Sequence, residues 1–319
     1  MNSNKPLFAA GFLLGLSGFV VIGMTLGQHS IERKIKAGLD QQISKHSEDA
    51  IVTYRNVKAS FITRKISVNG IQYTSLKNNP KELTVKIDHV EISDLDMDTI
   101  IHMATNSKAP ILPKSMRVGV SGVHLTAELL GEKAAQQLAE FQYTELNLSV
   151  AMGVKIDRAA KTVRLDEMGL EIADLGKLST TWDFNSVELP SDEQLAHPDQ
   201  FKEAFANKWK SAALHYADFK YVDLGFLKRF DRANQAKGKP SLAQSAEQLA
   251  QMMGRSPAKL SFVNDAIPKI KDFLTNGGTI ALRSKPAKDQ PLVELANPMA
   301  FLDPNGFATQ IGLSVEVTH

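Results

Sequence analysis

Cysteine is absent from all 319 residues. That removes disulfides, thiol nucleophiles and thiolate metal sites together, and it is compatible with either side of a bacterial inner membrane. A dominant charge is lacking too. Lys and Arg number 37 against 35 Asp and Glu, a net charge of +2, so no strong electrostatic partner signal exists. Basic and aromatic residues do not cluster as a nucleic-acid face would. The eight histidines are scattered, with no His-x-x-x-His or other metal spacing. His89 and His124 read as polar residues on strand faces. Gly119-Val120-Ser121-Gly122 lacks the Gly-x-Ser-x-Gly spacing of a nucleophile elbow. Asp94, Asp96 and Asp98 begin like a calcium loop, but Thr99 and Thr105 stand where a glycine and an acid are needed. These aspartates fit a helix-capping role better, with Asp96 or Asp98 as the cap. No catalytic constellation is visible, so the chain reads as a non-enzyme with no cofactor and no metal.

What the chain does contain is one long apolar run, Leu7 to Leu26 (LFAAGFLLGLSGFVVIGMTL), without a charge. Its length matches the roughly 20 residues that cross a bilayer as a helix. A cleaved signal peptide would carry a shorter apolar core, of about 7–15 residues. Gly11, Gly15 and Gly18 fall on one helical face at i, i+4 and i+7, a stripe that can let two membrane helices approach. Lys5 precedes the run; Arg33, Lys34 and Lys36 follow it. Counted alone, these positives favour a cytoplasmic body.

The body is patterned by a short motif. Ile66-Ser67-Val68-Asn69-Gly70-Ile71-Gln72-Tyr73 alternates apolar and polar, slips phase once, and alternates again. A flat strand would send the two apolar pairs to opposite faces. An extra residue at Asn69-Gly70, forming a bulge, would return both to one face. The spacing recurs as Val85, Ile87, Val90, Ile92; as Val118, Val120, Val123, Leu125; as Val163, Leu165, Met168, Leu170; and as Leu214, Tyr216, Phe219, Tyr221. The copies are unevenly spaced, which argues against a regular solenoid.

Periodicity assigns the remaining elements. His29–His46 reads as an amphipathic stalk helix continuing the membrane span. A strand is expected around Ile51–Ala59, and helices over 96–104 and 129–141. Strict alternation from Tyr143 to Ile156, a loop at 157–161 and the fourth copy predict a long hairpin, with Lys177–Val187 as a third strand. Helices are expected at 201–209, 226–236, 242–253 and 266–275, the last ending at Asn276-Gly277-Gly278. Strands at 279–283 and 311–317 close the chain. The fold class is α+β: an N-terminal transmembrane helix, then a curved, mostly antiparallel β-sheet with a helix-rich C-terminal part. The segments are an anchor (1–28), a helical stalk (29–48), a β-rich repeat domain (49–190), and a helix-rich α+β region (191–319) closing on the same sheet.

The anchor at Leu7–Leu26 followed by the motifs at Ile66–Tyr73 and Val118–Leu125 resembles the AsmA-like superfamily of membrane-anchored bacterial envelope proteins, over the first half of the chain. The resemblance implies a single-pass inner-membrane protein whose C-terminal body is periplasmic. It also implies a curved sheet whose apolar face carries lipid in envelope maintenance. The partners expected are then the lipid bilayer, a phospholipid ligand and envelope proteins, and no nucleic acid. Candidate groove residues are Ile66, Val68, Ile71, Tyr73, Val118, Val120, Val123, Leu125, Phe219 and Tyr221, although ordinary core is the more usual place for such residues. The alternative is a non-enzymatic scaffold that recruits envelope proteins through sheet edges and the glycine stripe.

Overall fold

The phase slip in the motif decides how the first strands assemble. The structure, a computed structural model, describes residues 31–45, 50–60, 62–76, 83–104, 112–191, 194, 211–254, 261–295 and 303–319. Two compact units are present, one built mainly from the described residues up to Lys155, the other from Ile156–Leu189 and the described residues from 211 onward. The candidate span Leu7–Leu26, with Gly11, Gly15 and Gly18, and the helix expected at 201–209 lie outside the described residues. Among the described residues no helix is long and apolar enough to cross a membrane.

The first unit runs α1 (Ile31–Lys45), β1 (Ala50–Thr53), β2 (Asn56–Ser60), β3 (Lys65–Ser75), β4 (Leu83–Ser93), α2 (Met97–Ala104), β5 (Ser115–Thr126), α3 (Ala127–Leu130), α4 (Glu132–Glu140) and β6 (Glu145–Asp157). Its sheet has the order β1-β3-β4-β5-β6, with β2 also on β3, and the pairings are antiparallel. Three motif copies lie side by side. Ile66, Val68, Ile71 and Tyr73 stand opposite Ile92, Val90, Ile87 and Val85. Ile92, Val90 and Ile87 in turn stand opposite Val118, Val120 and Val123. Residues from before and after each slip share one cluster: Ile71, Val85, Ile87, Val120 and Val123 are buried, with Val68, Val90 and Leu125 packed on them. Both halves of each strand therefore present apolar side chains to one face. Each such side chain, fully buried, is worth roughly 1.5–3 kcal/mol.

The means differs from a simple bulge. The pairs Asn69↔His89 and Ile71↔Ile87 keep one register, as do His89↔Ser121 and Ile87↔Val123. Gly70, Asp88 and Gly122 thus lie on one line across three strands, and no residue is extra. Every copy turns at the same level, and the turn is a shared kink. Gly70 and Gly122 have φ of 64° and 65°, a left-handed conformation that glycine adopts without strain. The extra residue surfaces only where a neighbour has no slip. β6 alternates without interruption, and the β5–β6 register shifts between Val120 and Val123. On the other side of β3, the strand expected across Ile51–Ala59 is split into β1 and β2, with Tyr54 and Arg55 at the level of Gly70; Arg55 N–H donates to Asn69 O at 2.8 Å.

Helix α1 does not stand free as a stalk. Ile35 packs against the cluster of Ile66, Leu95 and Ile100, Glu32 accepts from Ala59 N–H, and Tyr54 Oη donates to Asp40. Its apolar stripe is what brings it down onto β1 and β2. The segment expected as one helix over 129–141 is two, broken at Gly131 (φ 81°).

Asp96 is the cap of α2. Its carboxylate accepts from Thr99 N–H (2.9 Å), Thr99 Oγ1 (2.8 Å) and Lys114 N–H (2.7 Å). Burial pushes its pKa up, but these hydrogen bonds outweigh burial and hold it below the ordinary carboxylate value. Asp98 pairs with Lys114 instead.

The second unit runs β7 (Thr162–Ile172), β8 (Gly176–Asn185), β9 (Ala213–Asp223), α5 (Phe226–Ala236), α6 (Leu242–Gly254), α7 (Ser261–Asn276), β10 (Thr279–Ser284), β11 (Gln290–Pro291), α8 (Leu292–Leu295), α9 (Pro304–Gln310) and β12 (Leu313–Thr318). Its sheet order is β7-β8-β9-β10-β12, antiparallel throughout, with β11 on β9. The fourth motif copy is bulged: the β7–β8 register shifts between Leu165 and Met168, and Glu167 has φ 47°. The fifth copy is not bulged at Asp218, which pairs in register with Thr181 and Arg283; the β9 irregularity falls next to His215 instead. Asp223, at the end of β9, caps α5 by accepting from Leu227 N–H at 3.0 Å. Helix α7 starts five residues before its expected position and carries Pro268 within it. The short α9, unanticipated, is capped by Asp303 with a proline in its first turn.

Two outcomes follow for stability. Gly122→Ala is expected to destabilise the protein by at least about 1–2 kcal/mol, from a Cβ in the left-handed region that would also overlap the Asp88 side chain, whereas Gly119→Ala, with open space at its Cβ, leaves urea unfolding unchanged. Equal effects at both positions would contradict the kink. Asp96 has a depressed pKa, so its contribution is complete above the ordinary carboxylate value of about 4 and is lost as pH falls through the lower folded value. Asp96→Ala is therefore expected to cost about 1 kcal/mol at neutral pH. Denaturation curves taken in acid should show that gap closing; a gap constant with pH would count against the capping role.

Candidate functional site

Strand alternation gives the second unit's sheet two chemically distinct faces. On one, Arg164 donates to Asp166 (2.5 Å) and Asp183 (3.3 Å), and Arg283 joins Asp218 (3.3 Å) and Glu316. Tyr216 lies among them. Burial first, then the Asp218 carboxylate, push its pKa above the ordinary phenol value. Two guanidinium groups are thus shared among four carboxylates, so each cation is paired and the cluster as a whole carries excess negative charge.

The other face is apolar, and strand register gathers it into rows. Met168 pairs with Thr180, Thr180 with Phe219, Phe219 with Leu282, and Leu282 with Val315. Five strands contribute one residue each. Val315 is buried, but Met168, Phe219 and Leu282 are 36%, 46% and 40% exposed. Within this row Thr180 Oγ1 is buried without a hydrogen-bond partner. The next row is covered: Tyr221 meets Phe273 of α7 edge-on at 5.9 Å, and its hydroxyl donates to Leu175 O at 3.4 Å. Further along, Trp182 stacks on Phe184 at 6.1 Å.

The expected groove residues therefore divide. In the first unit Ile66, Ile71, Val120 and Val123 are buried and Val68, Tyr73, Val118 and Leu125 are half-buried, most of them within the packed clusters already described. They form core. Tyr221 is held beneath α7. Phe219 alone among the ten is exposed, and register joins it to Met168 and Leu282. Leu282 carried no signal of its own in the sequence, because its partner across the sheet is 63 positions away. Gly11, Gly15 and Gly18 lie outside the described residues. The histidines serve as polar face residues: His89 Nδ1 is 2.6 Å from Asn69 Oδ1, and His124 Nε2 is 3.2 Å from Asp88 Oδ2. Among the described residues no group of three potential ligands could hold a metal ion.

A family model described only as "Uncharacterized protein" matches residues 169–318, a stretch that includes Phe219, Leu282 and the whole of β8 to β12. No curated protein matches the chain.

The open row and the closed core should respond differently to truncation. Phe219→Ala is expected to change unfolding stability by less than about 1 kcal/mol, since little packing is lost at an exposed site. Ile87→Ala, at 1% exposure, should cost about 2–5 kcal/mol. Comparable losses in calorimetry would show that Phe219 is core.

Proposed function

We propose that this protein is a non-enzymatic, membrane-anchored component of the bacterial envelope, with its body in the periplasm, and that the open apolar row of the second unit contacts lipid acyl chains. One observation carries the reading: Met168, Phe219 and Leu282 lie in one row across a sheet face, with Thr180 between the first two, and remain substantially exposed. Stripes of this kind mark interaction surfaces for apolar partners. The uncharged run Leu7–Leu26 supplies the bilayer as the nearest source of such a partner. The resemblance of the anchor and bent-strand motifs to AsmA-like envelope proteins supports the same compartment and ligand class. A single stripe is a contact for an acyl chain, and the packed core of the first unit offers no second one among its motif residues. The scaffold reading rests on sheet edges and the glycine stripe of the anchor, and a protein partner bound at this row would favour it.

A photoreactive amino acid at position 219 of the full-length chain, expressed in bacterial cells, is expected to crosslink phospholipid. The same group at Lys220, which points to the opposite face, is expected to crosslink none. A protein adduct at 219 without lipid would favour the scaffold, and no adduct at either position would remove the stripe as a contact.

A further inference from the structure

A second feature, in the first unit, lies apart from the apolar row. Helix α1 and strand β1 enclose an open cavity of about 480 Å³, lined by Lys36, Asp40, Ile43, Val52, Tyr54 and Arg55 among others. Asp40 organises one wall. It accepts from Tyr54 Oη at 2.5 Å and pairs with Lys36 Nζ at 3.1 Å, while the Lys36 ammonium lies 5.7 Å from the Tyr54 ring centre. The Tyr54 hydrogen bond, assisted by Lys36 and opposed by burial, holds Asp40 below its ordinary pKa. The same carboxylate raises Lys36, so the ammonium stays charged.

Arg55 forms the other wall. No ion pair to it exists among the described residues. Its side chain lies where a residue larger than glycine at position 70 would sit: a Cβ there would fall 3.0 Å from Arg55 Cβ and 3.3 Å from Nε. The kink glycine thus makes room for the Arg55 side chain. Among the described lining residues, two cations and one carboxylate leave a net positive charge. Ile43 and Val52 add an apolar wall beside it. A guanidinium and an ammonium lining one cavity are donors of the kind that recognise phosphate.

We propose that this cavity binds a phosphate group, with Arg55 as the principal contact and Lys36 as the second. Glycerophospholipid headgroup and free phosphate share that chemistry. The headgroup has the advantage of position, since Ile31, where α1 starts, follows the end of the apolar run at Leu26 by five residues. The site stands on the geometry of the first unit alone and does not require the acyl contact at Phe219.

The test is native mass spectrometry of the full-length protein in detergent, titrated with dihexanoyl phosphatidic acid, dihexanoylglycerol or inorganic phosphate. The phosphatidic acid is expected to bind one-to-one and the phosphate-free diacylglycerol not to bind. Arg55→Gln should weaken binding at least tenfold. Asp40→Asn, which releases Lys36 and the Tyr54 hydroxyl, should tighten it. Lys58→Gln, an exposed charge on β2 that does not line the cavity, should leave it unchanged, as should Phe219→Asp in the second unit. Inorganic phosphate binding as tightly as the phosphatidic acid, with the same response to Arg55→Gln, would support the site and identify its ligand as the free anion. Unchanged affinity in Arg55→Gln with an unaltered circular dichroism spectrum would overturn the proposal. So would equal losses in Arg55→Gln and Lys58→Gln, or binding of the diacylglycerol alone.

Discussion

Three strands changing phase at the same level hold the first unit together. A single phase slip would turn half of a strand's apolar side chains towards water, and the burial that stabilises a sheet face would be forfeited. Three adjacent slips, aligned through Gly70, Asp88 and Gly122, keep every apolar pair on one side and every hydrogen-bonded register intact. The constraint reaches outward from that line. β1 and β2 part at Tyr54 and Arg55 to follow it. β6, which carries no slip, accommodates β5 through a register shift. Asn56, Asn69 and His89, along the next row, are linked by side-chain hydrogen bonds.

The second unit uses the same sequence device with a different result. Only β7 retains a bulge at the motif position, opposite a β8 that has none. β9 pairs straight through its own slip, because Asp218 is held on the charged face by Arg283. Phe219 consequently points to the apolar face, in line with Met168 and Leu282. A rule that makes core in the first unit leaves an apolar row open to solvent in the second. The distinction rests on cover. Leu129 of α3 packs against the first cluster, and in the second unit Phe273 reaches Tyr221 while Phe219 stays exposed.

Most element positions were legible in the chain. The helix over 226–236 and the strands near 145–157, 176–185 and 279–284 match their periodicities closely, because strong amphipathic patterns survive tertiary packing. A capping aspartate, Asp96 or Asp98, was readable from its place before an apolar helical run, and the structure selects Asp96. Less legible were features set by partners distant in sequence. The split between β1 and β2 answers to Gly70, and the open row depends on Leu282, whose neighbours across the sheet are Phe219 and Val315. The cavity joins Lys36 and Asp40 on a helix to Tyr54 and Arg55 on the sheet edge. Apart from the i, i+4 spacing of Lys36 and Asp40, nothing local announces it.

The sequence by itself determined the alternation, the phase slips, the helix-forming segments and an uncharged run long enough to span a bilayer, since each of these is a matter of residue type and near-neighbour spacing. Tertiary structure alone decided that the slips align into one shared kink, which motif positions are buried and which stay exposed, and which two basic residues line one cavity. Those outcomes depend on strand register and on which helix covers which face, and both are settled by burial of apolar area between residues far apart in the chain.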